Sequence, residues 1–526
     1  MPAKILLGQC YKNKYNFGGN LFQQPSRYRS YLLETYPEIE HWVTPGIFDK
    51  LEDWPDGLSA LDVDFTPRNT AGRFIAANID TPCKVIDEPL TIPVLTKELA
   101  AENYTHVGLG IFIDSYSQFK ECSVYIRENY PHIQVIAGNI GALHEDTATY
   151  ADHVCLGDGI VFLRRLFGED ENKPLRLELI PVTGYIKVMG LCLKIPFVQI
   201  VTQIGCPMKC DFCSTALYFN CKHKGPLFSP EQVYEALVSY RKKINKNFTT
   251  FIVDPTAIVS YEWWYKLFDL FRFEKDDYPV IITTTQKSLV NLDLNKAGKS
   301  AIRLDTVNIG VESFHHSYPK NSGVDLKALI REYKEYGIAI SCSYIIGFEH
   351  NTADNVLDEM KQLLELETFA YSVMNLHPIP GTPLWKQLAA ENRLLDVPFD
   401  YYYLCGFQPF EHPAFETGFK DMLPLMCRIH RYIEREEGPF IARLYEIVNN
   451  LIRINFSRRK NYSGLKKIYK MTGSLMYPEW KDYLKPAPDK QSSYEERLGL
   501  SSFYKMLTEK GVFRKLIKIL AEKMYA

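Results

Sequence analysis

The sequence predicts an α/β protein with two successive parallel strand–helix series and a helical C-terminal region. Three observations carry that reading. Short apolar runs recur ahead of helix-like stretches, these runs end in loops bearing glycine or carboxylate residues, and the strand pattern stops near residue 396. The expected organisation is a doubly wound, Rossmann-like domain over 1–165, a connector over 166–198, a partial (β/α)6 barrel of TIM-like type over 199–395, and a helical domain over 396–526.

In the first series, KILLG at 4–8 reads as a strand, and SRYRSYLLETY follows as a helix. HVGLGIFI at 106–113, a helical SQFKECSVYIREN, IQVIAG at 133–138 and HVCLGDG at 153–159 continue the alternation. The loops after these strands carry Gly8, Gly138 and Gly157, at the end of an open sheet where ligands bind. Residues 45–100 are rich in Pro, Asp and isolated apolar residues and read as an insertion or irregular lid. The stretch at 166–198 opens with a charged, proline-containing run, hence its reading as a connector.

The second series starts with FVQIVTQ and a cysteine-rich loop, then a helix in PEQVYEALVSYRKK. Strand-like runs follow at TTFIVD (249–254), VIITTT (280–285), TVNIGVES (306–313) and IAISCSYIIG (338–347), and finally in FAYSVMNLHPIPGTP. Helical segments separate them, as in a parallel barrel whose chemistry sits at the C-terminal ends of its strands. Beyond 396, PFIARLYEIVNNLIRI and FYKMLTEKGVFRKLIKILAEKM read as helices. The last is basic and amphipathic. Packing against the barrel is its first reading, and contact with an anionic membrane surface, suited to a lipid-like substrate, its second.

At 526 residues with 46% hydrophobic and 24% charged residues, the composition is that of a multidomain globular protein. A formal charge of -2 gives no cationic field, which argues against a nucleic-acid partner and for a small molecule. No export signal or membrane-spanning run is visible, so a cytoplasmic location is expected.

The cysteines supply the sharpest chemistry. QIGCPMKCDFCST places Cys206, Cys210 and Cys213 just after the first barrel strand. Thiolates are the usual ligands of iron–sulfur clusters, and four saturate a cubane, so three leave one iron open. A structural zinc site or a closed cluster using Cys221 as fourth ligand is the alternative, although zinc sites favour paired Cys-x-x-Cys knuckles and no second knuckle occurs. A non-catalytic redox or sensor protein would use such a closed cluster.

This spacing, with Phe212 just before the last cysteine, resembles the radical S-adenosylmethionine superfamily. The resemblance runs over about 199–395. It implies a [4Fe-4S] cluster on the three cysteines, S-adenosylmethionine bound at the open iron, a 5′-deoxyadenosyl radical, and an external electron donor of flavodoxin or ferredoxin type. Asp254 resembles the position that helps hold the methionine amino group. Glu312, with Ser313 beside it in GVES, resembles the position contacting the cofactor from the opposite wall, and PIPGTPLW resembles the last strand exit near the adenine. Thr284, Thr285, Gln286, Lys287, Ser341 and Ser343 are candidates to face substrate, whereas the adjacent His315 and His316 read as solvated.

Residues 100–166 resemble the cobalamin-binding domain that precedes the barrel in one branch of this superfamily, with Gly138 and Gly157 at the positions that accept the nucleotide tail and Asn139 where a second glycine is common. No Asp-x-His-x-x-Gly occurs, so the usual histidine ligand to cobalt is missing. Two readings stay open. Either cobalamin binds with its lower face free or water-bound, which implies methyl transfer to an unactivated carbon, or the domain keeps only the fold, which implies a radical cyclisation, rearrangement or oxidation. Methylthiolation, which in similar enzymes uses a second cluster, is disfavoured because Cys10 and Cys83 alone cannot supply three further ligands.

Overall fold

A computed structural model of the chain describes residues 2–10, 61–66, 69–188, 191–244, 248–315, 318–366, 368, 370–403, 406–426 and 428–429. The chain divides into two compact units. The first comprises Met1–Leu21, Phe65–Thr183 and Pro196–Met426, so it takes in both expected α/β series apart from the stretch 26–36. The second comprises Phe22–Asp64, Gly184–Ile195 and Cys427–Ala526 and is largely outside the described residues.

The N-terminal series forms a five-stranded parallel sheet from β1 (Ile5–Cys10), β2 (Cys83–Val85), β3 (His106–Ile111), β4 (Gln134–Gly138) and β5 (His153–Val154). Its spatial order is β2-β1-β3-β4-β5. The order reverses between β1 and β3, the switch point at which a doubly wound sheet opens a crevice beyond its strand ends. Leu6, Val107, Leu109, Val135 and Ala137 are buried against Leu95 and Leu99 of α1 (Ile92–Ala101) and Phe119, Cys122 and Ile126 of α2 (Tyr116–Asn129).

Residues 69–101 are not the irregular lid expected from sequence. They carry a helix at Thr70–Ala76, the edge strand β2 and helix α1. The edge strand is three residues long, too short for an alternation pattern to reveal it. Strands also occupy Ile180–Val188 and Leu191–Ile200 within the stretch read as a connector. Pro181 and Pro196 lie inside them, and proline is a signal against strand.

The barrel strands are β6 (Leu191–Ile200), β7 (Thr249–Ile252), β8 (Tyr278–Thr284), β9 (Ile302–Glu312), β10 (Ala339–Ile346) and β11 (Ala370–Asn375). They are neighbours in sequence order and parallel throughout. Helices α3 (Pro230–Ile244), α4 (Tyr261–Leu270), α5 (Leu326–Glu335) and α6 (Ala353–Glu365) separate strands along the chain. α6 starts at a capping box in which Thr352 and Asn355 bond each other's backbone amides. The register of β9 against β10 shifts between Gly310 and Glu312, a bulge at the end of the strand that re-aims the last side chain.

After the barrel, the described part of 396–426 holds a 3-10 turn at Phe399–Tyr403 and isolated bridges Leu394–Phe410 and Gln408–Gly418. Phe399 and Tyr402 join the core of the N-terminal layer, and Asp400 accepts a hydrogen bond from the Ser117 amide at 3.2 Å. The chain thus returns to its first layer before any C-terminal helix begins. The helices expected within 439–454 and 503–524, like that at 26–36, lie outside the described residues. Among the described residues no helix is long and apolar enough to cross a membrane.

Candidate active site

The three cysteines lie on a loop closed at its base by a small hairpin. Ile204–Gly205 pairs antiparallel with His223–Lys224. Gly205 immediately precedes Cys206, with φ +80°, and a Cβ there would lie 2.1 Å from the Lys222 carbonyl oxygen, so only glycine fits. Cys206 is buried, and Cys210 and Cys213 are half-buried. The Cys213 amide donates to the Cys210 carbonyl at 3.2 Å.

Burial pushes the Cys210 thiol up to about 11, opposed by the positive charge of Lys320. Burial raises Cys206 as well, against an amide hydrogen bond from Met208 and the same lysine. Burial thus favours the protonated form of Cys206 and Cys210, and loading a cluster on them would release protons. Among the described residues no three His, Cys, Asp or Glu side chains are placed to hold a metal ion together.

Phe212 anchors this loop. Its ring meets Tyr318 edge-on at 5.4 Å and Phe348 at 5.6 Å, in a cluster with Ile345, Leu376, Leu388 and Phe410. The aromatic residue before the last cysteine thus fixes the loop to the exits of β9 and β10 through ring packing.

Asp254, just beyond β7, is 2% exposed. One carboxylate oxygen accepts from the amides of Thr202 at 2.9 Å and Gln203 at 3.1 Å, and the other accepts from the Thr202 hydroxyl. Burial outweighs these bonds and raises its pKa to about 6. Gln203 extends the network, donating to the Ala257 carbonyl at 2.8 Å and meeting His223 Nε2 at 2.5 Å. Asp254 therefore holds the backbone leading into the cysteine hairpin.

Glu312 ends β9 with φ +64°, a conformation uncommon outside glycine and asparagine. Its carboxylate is ion-paired with Lys320, whose ammonium also faces Cys210 and Cys213 electrostatically. Lys320 is the residue that sequence reasoning missed. No spacing rule marks a lysine eight positions beyond a strand-end glutamate, and only the fold puts it beside the thiols. Ser313 turns elsewhere. It donates to the buried Glu359 at 3.2 Å and meets His350 Nε2 at 3.0 Å.

Among the substrate-facing candidates, Thr285 caps a short helix by accepting from the Ser288 amide, and Gln286 donates to the Gly310 carbonyl. Thr284 is buried 3.5 Å from Thr256. Ser341 and Ser343 are half-buried, and Ser343 faces Ser372 at 3.4 Å. His315 is 47% exposed at its side chain and lies 3.7 Å from Glu359, while His316 lies outside the described residues.

Gly138, Asn139 and Gly157 come together with Gly8 around a cavity of about 420 Å³. Its floor is the switch point of the N-terminal sheet, at Gly8, Gln9 and Gly110, and its opposite wall is the hairpin and following helix at Gly205, Thr215 and Tyr218. A Cβ at Gly138 would meet nothing closer than 3.8 Å, and Gly157 holds φ +93°. Asn139, at φ 69°, accepts from the Ile140 amide through its side chain. None of the described residues lining the cavity is a histidine.

Residues 200–363 match the model of the Radical SAM superfamily. A curated relative, "Uncharacterized methyltransferase PH0819" of Pyrococcus horikoshii, is 27% identical over 237 residues. That match takes in 43% of this chain and 48% of the relative, so the chain spans about half the length of the relative it matches. Two solved structures of the radical S-adenosylmethionine methyltransferase TsrM from Kitasatospora setae share the fold with a TM-score of 0.50. One, with cobalamin and a [4Fe-4S] cluster bound, is 12% identical and covers 86% of this chain and 99% of its own. The other, with tryptophan substrate and a S-adenosylmethionine analogue bound, is 13% identical and covers 90% and 99%. The cysteine loop and the parallel strands β7 to β10 all fall within residues 200–363, the stretch that matches the Radical SAM superfamily model.

Proposed function

We propose that this chain is a cobalamin-dependent radical S-adenosylmethionine methyltransferase acting on an unactivated carbon of a small molecule. The observation that carries the reading is the glycine-lined cavity between the switch point of the N-terminal sheet and the cysteine hairpin. It lies where a doubly wound sheet receives a nucleotide-like ligand, and it adjoins the loop that would hold the cluster. The name of the curated relative and the ligands of TsrM point the same way.

Cys206, Cys210 and Cys213 would hold a [4Fe-4S] cluster, and three thiolates would leave it open to S-adenosylmethionine. The bound cofactors supply radical generation and methyl carriage. The chain supplies placement. Phe212 seats the loop, Asp254 fixes its entry through Thr202 and Gln203, and Lys320 offsets thiolate charge while pairing with Glu312. None of the described residues lining the cavity is a histidine, so a corrinoid held there would take no imidazole from that lining. Reduction by an external flavodoxin- or ferredoxin-type donor completes the proposal.

The test is anaerobic reconstitution with iron, sulfide and hydroxocobalamin, followed by metal quantitation and electron paramagnetic resonance with and without S-adenosylmethionine. One cobalt per chain together with a cluster signal that shifts on adding S-adenosylmethionine supports the reading. A shift without cobalt removes cobalamin and favours a radical cyclisation, rearrangement or oxidation. An unshifted signal removes the radical chemistry.

A further inference from the structure

We propose that Tyr218 is a positioning residue that ties the cysteine loop to the rim of the glycine-lined cavity, so that loading the cluster and filling the cavity favour one another. Both the cluster on the cysteine loop and the identity of the cavity's ligand, a corrinoid, rest on the function proposed above.

The helix Ser214–Tyr218 begins at Cys213, its N-cap, and ends at Tyr218, so one helical turn separates a cluster ligand from this tyrosine. The Tyr218 hydroxyl accepts a hydrogen bond from the Asn139 amide at 3.1 Å and donates one to the Cys155 carbonyl at 3.0 Å. Asn139 follows β4 and Cys155 follows β5, and both line the cavity. A single hydroxyl therefore joins two rim loops to the cysteine loop. The Tyr218 carbonyl lies 3.7 Å from the Cβ position of Gly157, so the same residue also packs on the loop after β5. Burial raises the phenol's pKa and keeps it protonated, as its donor role requires. Phe219 beside it stands 3.1 Å from the Cβ position of Gly205, which wedges the end of the helix between hairpin and rim.

Asn139 gains most from this strut. It sits at φ 69° and ψ 178°, a backbone region that a residue other than glycine keeps only when its surroundings hold it there. Without the Tyr218 hydroxyl, its amide and the Cys155 carbonyl lose a buried partner, and the rim can relax independently of the cysteine loop. Coupling between two binding sites is reciprocal, so the strut has two measurable faces.

The experiment compares wild type and Tyr218→Phe, each as apoprotein and with the iron–sulfur cluster loaded. Tyr125→Phe, whose hydroxyl bonds Thr96 on the protein surface, is the control. Amide hydrogen exchange of peptides covering 138–141 and 155–159 is measured without cobalamin, and hydroxocobalamin is then titrated by visible absorption. In wild type and the control, cluster loading slows rim exchange and tightens hydroxocobalamin binding about tenfold. In Tyr218→Phe, at equal iron content, both responses vanish. A Tyr218→Phe rim that still responds as in wild type overturns the proposal. The wild-type arm needs no variant, since a rim exchanging equally fast with and without cluster also overturns it. A rim that responds to the cluster in wild type but not in Tyr218→Phe, in a protein that takes up no hydroxocobalamin, supports the strut and overturns the corrinoid assignment alone.

Discussion

The ammonium of Lys320 and the carboxylate of Glu312 form an ion pair beside the cysteine loop, with side chains 16% and 6% exposed. Burial alone would lower the lysine pKa, yet Glu312 and the neighbouring Cys210 thiol hold it above its usual value. Removing one partner of such a pair strands the other in a poorly solvated site, whereas removing both charges is far milder. Lys320→Met is therefore expected to lower stability by about 3 kcal/mol in urea denaturation. Lys320→Met combined with Glu312→Gln should recover most of that loss. Equal losses in the single and double variants would show that packing, not charge, explains the effect.

Asp254 predicts a pH signature. Its folded pKa of about 6 stands above the ordinary 3.8 because burial disfavours the carboxylate. The folded state thus binds the proton more tightly than the unfolded state between those values. Stability from this group is greatest below about pH 4 and falls as pH rises to about 6, by about 3 kcal/mol at 1.36 kcal/mol per unit. Asp254→Asn keeps an acceptor for the Thr202 and Gln203 amides and cannot ionise. The difference in urea midpoint between wild type and Asp254→Asn should therefore change in the variant's favour across pH 4 to 6 and be flat above. A pH-independent difference would refute the assignment.

Cys221 separates an open cluster from a closed one. It lies within electrostatic reach of Cys206, and its amide donates to the Ala216 carbonyl at 2.6 Å. Cys206→Ser is expected to lose most of its iron after anaerobic reconstitution. Cys221→Ser should retain the wild-type iron content and its paramagnetic response to S-adenosylmethionine. Iron loss in Cys221→Ser would make it the fourth ligand and favour a sensor or electron carrier.

Two glycines answer for different things. Gly205→Ala forces a Cβ to within 2.1 Å of the Lys222 carbonyl at φ +80°, so the hairpin must open. This variant should be destabilised by about 2 kcal/mol and load iron poorly. Gly138→Val instead sets its Cβ at ordinary contact distance, 3.8 Å from the Cβ of Cys155, on the lining of the cavity. It should keep its thermal midpoint and iron content while losing hydroxocobalamin uptake, measured by equilibrium dialysis. Unchanged uptake would place the corrinoid elsewhere.

Much of the fold was legible because each barrel strand is a short apolar run, and a run of that kind needs burial on both faces to be stable. β7 and β10 lie within TTFIVD and IAISCSYIIG, whereas β8 and β9 begin at Tyr278 and Ile302, ahead of the runs VIITTT and TVNIGVES. The short edge strand at Cys83–Val85 and the proline-containing strands near 180–200 were not legible, since three residues carry no period and proline argues against a ladder.

At the site, the sequence by itself determined the ligand chemistry: three thiols at fixed spacing, an aromatic neighbour, and glycines where a sheet ends. Spacing along the chain is a local property, and it survives any packing. The tertiary structure decided which groups meet. It placed Lys320 between Glu312 and the thiols, turned Asp254 onto the backbone of Thr202 and Gln203, directed Ser313 toward Glu359, and set the Tyr218 hydroxyl between two loops more than sixty residues away in sequence. Those partners are joined by closure of the sheet and barrel, where long-range contacts follow from strand order, and no local pattern encodes them.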